Sequence, residues 1–550
     1  KVLYAAANVL FRTTDEGSSW AAVSPDLTRN DRSKMGPSGG PITKDNTSVE
    51  YYGTIFALAE SPLDGNVLWA GSDDGLVHVT RDGGATWSKV TPPGMPEWSR
   101  VSQIDASPHD AGTAWLAVNR YQLDDYRPYV FATTDFGATW RLAASGLPAD
   151  AFVRVVREDP VRRGLLYAGT ETGAHVSFDA GSSWRSLQRN LPAVPVTDLV
   201  VKGDDVAVST QGRAFWILDD VAPLRQWRPE MESAPVHLFE PSTAWRFGGS
   251  EGRGAVGTNP PYGARFYYWL KEAPRDGEEA TLEVLDAKGA VVRRLTSKDE
   301  KASSAKGEGA TGEAGEGGRD GGDAPKPIPA NAGLNAFSWD LRYPPASKFE
   351  GLVLWGGELE GPRAVPGRYE VRLTAAGRTI VRPFEVRKDP RLATTDEDFA
   401  LQLALLQTIR DQLAATHDGI ARLRAVREQA REAAGRAKGT PAEKAVADAA
   451  EALAGRLTAV EEALYQTKNR ASQDPLNYPI RLNNKLAALA ATVASADARP
   501  TEQARAVHRE LSALVDAQLA TLERLLAEDV PAFNRLVREG DVPAVRLPKP

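Results

Sequence analysis

Along the first 220 residues, short apolar runs alternate with turns rich in Gly, Asp and Asn. In one stretch "GTIFALAESP" reads as a strand and a turn, and "NVLWAGS" as a second strand. "LVHVT" follows the turn "DDG", and "TWSKV" follows "RDGG". Four short strands separated by turn residues predict one blade of a β-propeller. The same grammar returns as "RVSQIDASP", "TAWLAVN", "YVFATT", "TWRLAA", and again as "FVRVVREDP", "GLLYAGT", "AHVSF", "SWRSL". A further unit, "VTDLVVKGDD", "VAVST", "AFWILDD", has three strands, and the first unit has only "VLYAAA", "VLFRT" and "SWAAV". The chain is therefore expected to hold about five blades of an incomplete propeller over residues 1–222. The missing innermost strand of the first unit leads us to expect a fragment, or a processed C-terminal part, of a longer protein.

Beyond Asp220 the alternation lengthens. "ARFYYWL", "TLEVLD", "AVVRRL", "LNAFSWDL", "RYEVRLTA" and "RTIVRPFEV", with hairpin turns "DAKG" and "AAGR", predict an immunoglobulin-like β-sandwich over residues 223–390. Residues 298–333 lack aromatics and are dominated by Gly, Ala, Lys, Glu and Asp, so they are expected to be a disordered insertion. Over residues 391–550, Leu and Ile recur at three- and four-residue spacing. Four amphipathic helices are expected there, forming an antiparallel bundle. Thr440, with Pro441 and Glu443 after it, reads as a capped start, and so does Thr501 after Pro500.

Within the blades one octapeptide recurs: "TTDEGSSW", "TRDGGATW", "TTDFGATW" and "SFDAGSSW". Its residues are Asp15, Gly17 and Trp20; Asp82, Gly84 and Trp87; Asp135, Gly137 and Trp140; and Asp179, Gly181 and Trp184. An Asp in a turn accepts bonds from nearby backbone N–H groups. Gly permits a positive φ, and Trp packs between blades. Recurrence in successive units assigns these residues to scaffold rather than catalysis.

Composition narrows the function classes. A net charge of −7 with no basic block argues against nucleic acid as a partner. There is no cysteine, which excludes disulfides and thiolate chemistry. No apolar run reaches the roughly 18 residues of a membrane span. His78, His109, His175, His237, His417 and His508 are scattered without ligand spacing, so neither a metal nor a cofactor is expected.

The octapeptides resemble the Asp-box, or BNR repeat, of sialidases, tandem-propeller xyloglucanases and sortilin-type receptors. Residues 24–222 are similar to bacterial sortilin-like propeller proteins often labelled "glycosyl hydrolase". The stretches that carry this are "SPDLTRND", "GPSGGPITKDNTSVEYYGTIFALAESP", "RYQLDDYRPYVFATTDFGATW", "DPVRRGLLYAGTETGAHVSFDAGSSW" and "GRAFWILDDVAPLRQ". "NPPYGARFYYWL", "LNAFSWDLRYP" and "DPLNYPIRLNNKLAAL" resemble the C-terminal part of the same group. The resemblance implies a propeller exported to the periplasm, cell surface or medium. It is specific for fold and weak for activity.

Functional residues are sought on the rim opposite the octapeptides, where loops carry acids, arginines and aromatics together. The candidates are Glu50, Tyr51, Tyr52, Trp98, Arg120, Tyr121, Asp124, Asp125, Tyr126, Arg127, Glu171 and Arg213. Asp73 and Asp74 read as turn residues, and Glu171 with Arg213 as an ion pair between neighbouring blades. Recognition of a peptide, protein or glycan is the first expectation. Glycoside hydrolysis is the rival, needing two carboxyls roughly 5–10 Å apart, with Asp124, Asp125 and Glu171 as candidates. Sialidase features such as an arginine triad are not visible. A structural subunit of an extracellular assembly is the third reading. The N-terminal remainder of the protein, or a companion chain, is expected to complete the ring.

Overall fold

The computed structural model describes residues 1–45, 52–247, 257–298, 327–357 and 359–544. The candidates Glu50 and Tyr51 lie outside the described residues, as does most of the 298–333 insertion. The chain divides into two compact units, Lys1–Trp227 and Arg228–Pro550.

Among the described residues of the first unit, five antiparallel sheets of three or four strands follow one another, besides a two-stranded pair at Ser38–Gly39 and Lys44–Asp45. The first holds Leu3–Ala6, Leu10–Thr13 and Ala21–Ala22. The second runs Ile55–Glu60, Leu68–Ser72, Val77–Thr80 and Ser88–Lys89. The third comprises Arg100–Ala106, Ala114–Arg120, Asp125–Thr133 and Arg141–Leu142, and the fourth Val153–Glu158, Leu166–Thr170, Gly173–Ser177 and Arg185–Ser186. The fifth has only Val196–Lys202, Asp205–Thr210 and Phe215–Leu218, and a short helix, Ala222–Gln226, follows it. Each sheet is a simple up-and-down meander, the form of a propeller blade. Central strands are buried on both faces, as in "LWAGS" and "LYAGT", so they read as continuous rather than alternating apolar runs. Apolar clusters join each sheet to the next, from first and second through to fourth and fifth. Trp69, Tyr167, Leu116 and Leu166 are fully enclosed there, each worth about 1.5–3 kcal/mol of burial.

The octapeptides form four near-identical corners. Asp15, Asp82, Asp135 and Asp179 each accept from the hydroxyl two residues earlier, at 2.7–2.8 Å. Each also accepts from the backbone N–H four residues on, at 2.8–2.9 Å, and from that residue's hydroxyl at 2.6 Å. Hydrogen bonds from Ser19 and from Thr86 hold the carboxyls of Asp15 and Asp82 down to about 2. The earlier Ser or Thr also accepts from the corner glycine N–H. That glycine has φ between 78° and 100°, a region closed to most L residues. At Gly84 and Gly137 a side chain would also strike Val23 and Val90 of the preceding sheet.

In the second unit, two sheets enclose one core. One holds Val236–Leu238, Ala264–Leu270 and Gly333–Trp339. The other holds Ala244–Arg246, Arg378–Lys388, Gly367–Ala375, Thr281–Asp286 and Val291–Thr296. Strand "ARFYYWL" alternates buried and half-buried positions as a strand with one inner face must. Residues 327–333, assigned to the disordered insertion by composition, are ordered. Ile328 is buried and donates its N–H to Thr296.

Among its described residues the C-terminal region has five α-helices rather than the four expected: α1 (Asp396–Ala437), α2 (Glu443–Leu464), α3 (Leu482–Ala494), α4 (Glu502–Arg524) and α5 (Val530–Glu539). A π-helical segment, Leu525–Asp529, separates α4 from α5 where Pro531 removes a backbone donor. Thr501 caps α4 by accepting from Ala504 N–H. Thr440 does not cap α2, because its hydroxyl turns back to the Ala437 carbonyl, while Glu443 accepts from Gly439 N–H.

A separate sandwich ending at residue 390 also needs correction. Ala346, Phe349 and Leu359, which lie between strands of the sheet region, are buried in the helical core. The Asn484 side chain makes two hydrogen bonds to the Trp355 backbone, and Tyr465 hydroxyl binds Gly351 and Val353. Sheets and helices therefore form one interlocked body.

Candidate ligand-binding rim

The turn between second and third strands sits at the opposite end of the third strand from the Asp–Gly–Trp corner. In three sheets its first residue donates a backbone N–H to the residue before the innermost strand: Asp73 to Thr54, Glu171 to Phe152 and Gln211 to Pro195. The repeat thus places Asp73 and Glu171 at equivalent points of one rim. Their environments differ. The Asp73 carboxylate accepts from Gly53 and Thr54 N–H, and burial raises its pKa. Asp74 is buried and accepts from Arg29 N–H and the Ser72 hydroxyl. Glu171 accepts two bonds from Arg154, at 2.8 and 3.0 Å. Its partner is in its own sheet, and the expected pair with Arg213 does not form. Arg213 instead lies on an exposed turn, where its N–H donates to the Thr210 hydroxyl and its carbonyl accepts from the Trp216 indole.

The loop "NRYQLDDYRP" folds into a 3₁₀ turn at Tyr121–Leu123 that ends on Asp124 in the left-handed region, at φ 57°. Asp124 is exposed and Asp125 is buried. Asp125 accepts from Arg127 backbone N–H, Nε and Nη2 and from the Tyr129 hydroxyl, with Arg120 at 4.0 Å. Arg127 and Tyr129 hold its carboxyl far below the usual carboxylate range. A group held so firmly ionised is poorly placed to deliver a proton.

Aromatic faces line the same rim. Tyr121 stacks on Phe152 at 4.6 Å, with Tyr126 tilted against the same ring at 6.3 Å. Arg154 lies 5.0 Å above Phe152. Tyr52 meets Trp98 edge-on at 5.9 Å, and Arg29 lies 4.8 Å over the Trp98 ring. Trp98 adopts a left-handed backbone, φ 60°. For so bulky a residue this is a strained conformation costing about 1–3 kcal/mol, and such strain gathers at functional sites. The two clusters join through Glu97, whose carboxylate is 3.7 Å from Arg29 and whose carbonyl accepts from Arg120 at 3.0 Å. The structure thus gathers Tyr52, Trp98, Arg120, Tyr121, Asp125, Tyr126, Arg127 and Glu171 around two linked aromatic clusters. Arg213 stands on the fifth sheet, and Asp124 shares none of these bonds.

Sequence reading missed several members. Arg29, Phe152 and Arg154 were not singled out, yet they supply a guanidinium to each cluster and the ring under Tyr121. Arg154 is the extra residue of a β-bulge between Val153 and Val155. The innermost strands of the second, third and fifth sheets bulge at the corresponding point. A bulge re-aims one side chain, and no residue-type signal marks it. A second group on the innermost strands also escaped notice. Arg157 bridges Asp105 at 3.2 Å and Asp198 at 3.4 Å, linking three sheets. Burial raises the Asp105 carboxyl to about 6, against the pull of Glu158 N–H and Arg157. Among the described residues, no cluster of His, Asp and Glu could hold a metal ion, and no helix is long and apolar enough to cross a membrane.

The chain matches no family model and no curated protein. Among solved structures it is similar to YCF48 bound to D1 peptide, at 18% identity over 32% of this chain and 52% of that one, with a TM-score of 0.24. It is also similar to the GH74 xyloglucanase from Xanthomonas campestris, at 16% identity over 41% and 36% of the respective chains, TM-score 0.31. The computationally designed Ika4 protein is a third, at 14% identity over 30% and 91%, TM-score 0.23. The chain spans about half of the first of these and about a third of the second. Likenesses at this level carry nothing about function.

Proposed function

We propose that this protein is a ligand-binding propeller of the Asp-box, sortilin-like kind, exported from the cytoplasm, that recognises a peptide, protein or glycan on its aromatic rim. The carrying observation is how the rim acids are spent. Asp125 is saturated by Arg127 and Tyr129, and Glu171 by Arg154, so two of the three candidate catalytic acids serve as anchors. What remains presented is aromatic surface flanked by guanidinium groups, which suits stacking and hydrogen bonding to a polar ligand. The second unit, with its two-sheet layer and helices, is in this reading an immunoglobulin-like sandwich with a helical bundle.

Exposed apolar surface favours a companion on the terminal sheets. Leu3 is 48% exposed on the first, and Phe215 and Ile217 are 81% and 61% exposed on the fifth. A companion chain, or another segment of the same protein, covers these faces in this reading. The test titrates the immobilised chain with xyloglucan oligosaccharides, sialyllactose and an extended acidic peptide. Retention of at least one probe, weakened tenfold or more by Trp98→Ala and by Arg154→Ala, is expected. Sugar release that disappears in Asp124→Asn would replace this reading with glycoside hydrolysis.

A further inference from the structure

The corner tryptophans brace each sheet to the one before it. Trp87, Trp140 and Trp184 donate their indole N–H groups to the carbonyls of Val23, Val90 and Ala143, at 2.7–2.9 Å. Each acceptor sits just past a fourth strand or its counterpart, and its own N–H donates to a carbonyl of the third strand or its counterpart. In the fourth sheet that position is Leu187, whose N–H donates to Ala174.

The fifth sheet breaks the series. Val221 N–H donates to Asp204, just as Gly83, Phe136 and Ala180 donate to Asn66, Gly112 and Gly164. This aligns Asp220 with the corner aspartates and Arg225 with the corner tryptophans. Ala222–Gln226 is helical, however, and the Arg225 guanidinium binds Asp159 at 3.0 Å and Asp204 at 2.5 Å. No described side chain donates to the Leu187 carbonyl. Between the fourth and fifth sheets, where an indole lies in the other three gaps, there is a cavity of about 60 Å³ lined by Tyr167, Ala174, His175, Leu187, Val208 and Trp216. That is roughly four times the space one water needs.

Tyr167 holds the register position of Trp69 and Trp115, and Trp69 is the ring on which Trp140 rests edge-on at 6.2 Å. The cavity therefore keeps the floor and the acceptor of an indole socket. Its lining also carries the polar side chains of Gln188, Arg189 and Asn190, and buried His175, whose Nδ1 has no hydrogen-bond partner. His78 occupies the same place in the second sheet and is likewise unpartnered at Nδ1. The imidazole thus belongs to the repeat, and the cavity belongs to the tryptophan that the fifth sheet lacks.

We propose that this cavity binds a planar aromatic group carrying an N–H donor, an indole above all, which rests on Tyr167 and donates to the Leu187 carbonyl. The group can come from a small molecule or from a tryptophan on a polypeptide laid along the fourth sheet. This site lies apart from the rim and does not depend on the rim reading.

The full chain is titrated with 5-fluoroindole, observed by ¹⁹F NMR, and with its N-methyl derivative. The acetylated peptide SSWRSL, a copy of one corner, is titrated in parallel. Saturable binding is expected, threefold to tenfold weaker on N-methylation, the worth of one hydrogen bond. Ala174→Leu fills the space and abolishes binding with the melting temperature and circular dichroism retained, and Val208→Phe serves if that variant does not fold. Tighter binding of the peptide assigns a polypeptide source, and tighter binding of free indole a small molecule. No binding of either at millimolar concentration, or undiminished binding in a folded filled variant, overturns the proposal.

Discussion

Asp125 accepts four hydrogen bonds from two residues that follow it within the same strand. Its folded-state pKa lies below the unfolded value near 3.9, so its contribution to stability is complete above about pH 4 and is lost as the pH falls further. Asp125→Ala is expected to cost about 2 kcal/mol at pH 7, since Tyr129 loses a buried partner, and to flatten the acid limb of the melting curve. An unchanged acid limb would refute that role. Asp105 works in the opposite sense. Its carboxyl is raised to about 6, so stability is complete below about pH 4 and falls as the pH rises through 6. Thermal melts at pH 4 and pH 7 should show Asp105→Asn losing that decline, and a wild-type slope in the variant would count against it. At this scale the sequence was informative about residue type and silent about charge state. "DDYR" shows two acids beside an arginine and cannot tell that Asp125 is enclosed and Asp124 exposed, because burial is settled by the 3₁₀ turn before them.

The corner is the element that repeats, and its tryptophan is the part with reach. Trp140→Phe removes the donor to Val90 and leaves a small void, which should cost about 1–3 kcal/mol. Trp184 is enclosed between sheets, and Trp184→Ala should cost about 3–5 kcal/mol. Denaturant melts would check both, and a cost under about 0.5 kcal/mol for each would reduce the corner to a surface turn. The strand grammar and the corners were legible because turn residues and alternation are local. The bulges at Arg154 and its counterparts were not, because a bulge depends on the neighbouring strand. In the helical region, periodicity located four helices ending at Glu528 but left Val530–Glu539 in a C-terminal tail, since Pro531 and the short polar stretch after it read as a stop.

On the scale of the molecule, the second unit departs most from what a linear reading suggests. Arg246 is buried and bonds Asp497, Gln402 and the carbonyls of Arg363 and Ala364, tying strand, loop and helices together. Asp497→Ala leaves that guanidinium unpaired and should cost about 3–5 kcal/mol. Residues 228–550 should melt in one transition, whereas residues 391–550 alone should bind a hydrophobic dye, because Ala346, Phe349 and Leu359 are removed from their core. Two separate transitions in the longer fragment would disprove the interlocking. The boundary at 390 looked natural because composition changes there; packing does not follow composition when an intervening loop inserts its side chains into the next layer.

The indoles of the three corner tryptophans Trp87, Trp140 and Trp184 all point backward, from a later sheet to an earlier one. Ribosomal synthesis runs the other way, so each sheet emerges unlatched and is fastened only when the next corner leaves the exit tunnel. The fifth sheet brings no indole latch and is tied to the fourth by Arg225 on Asp159 instead. Amide exchange should show lower protection in the fifth sheet, where the indole braces end, than in the second to fourth.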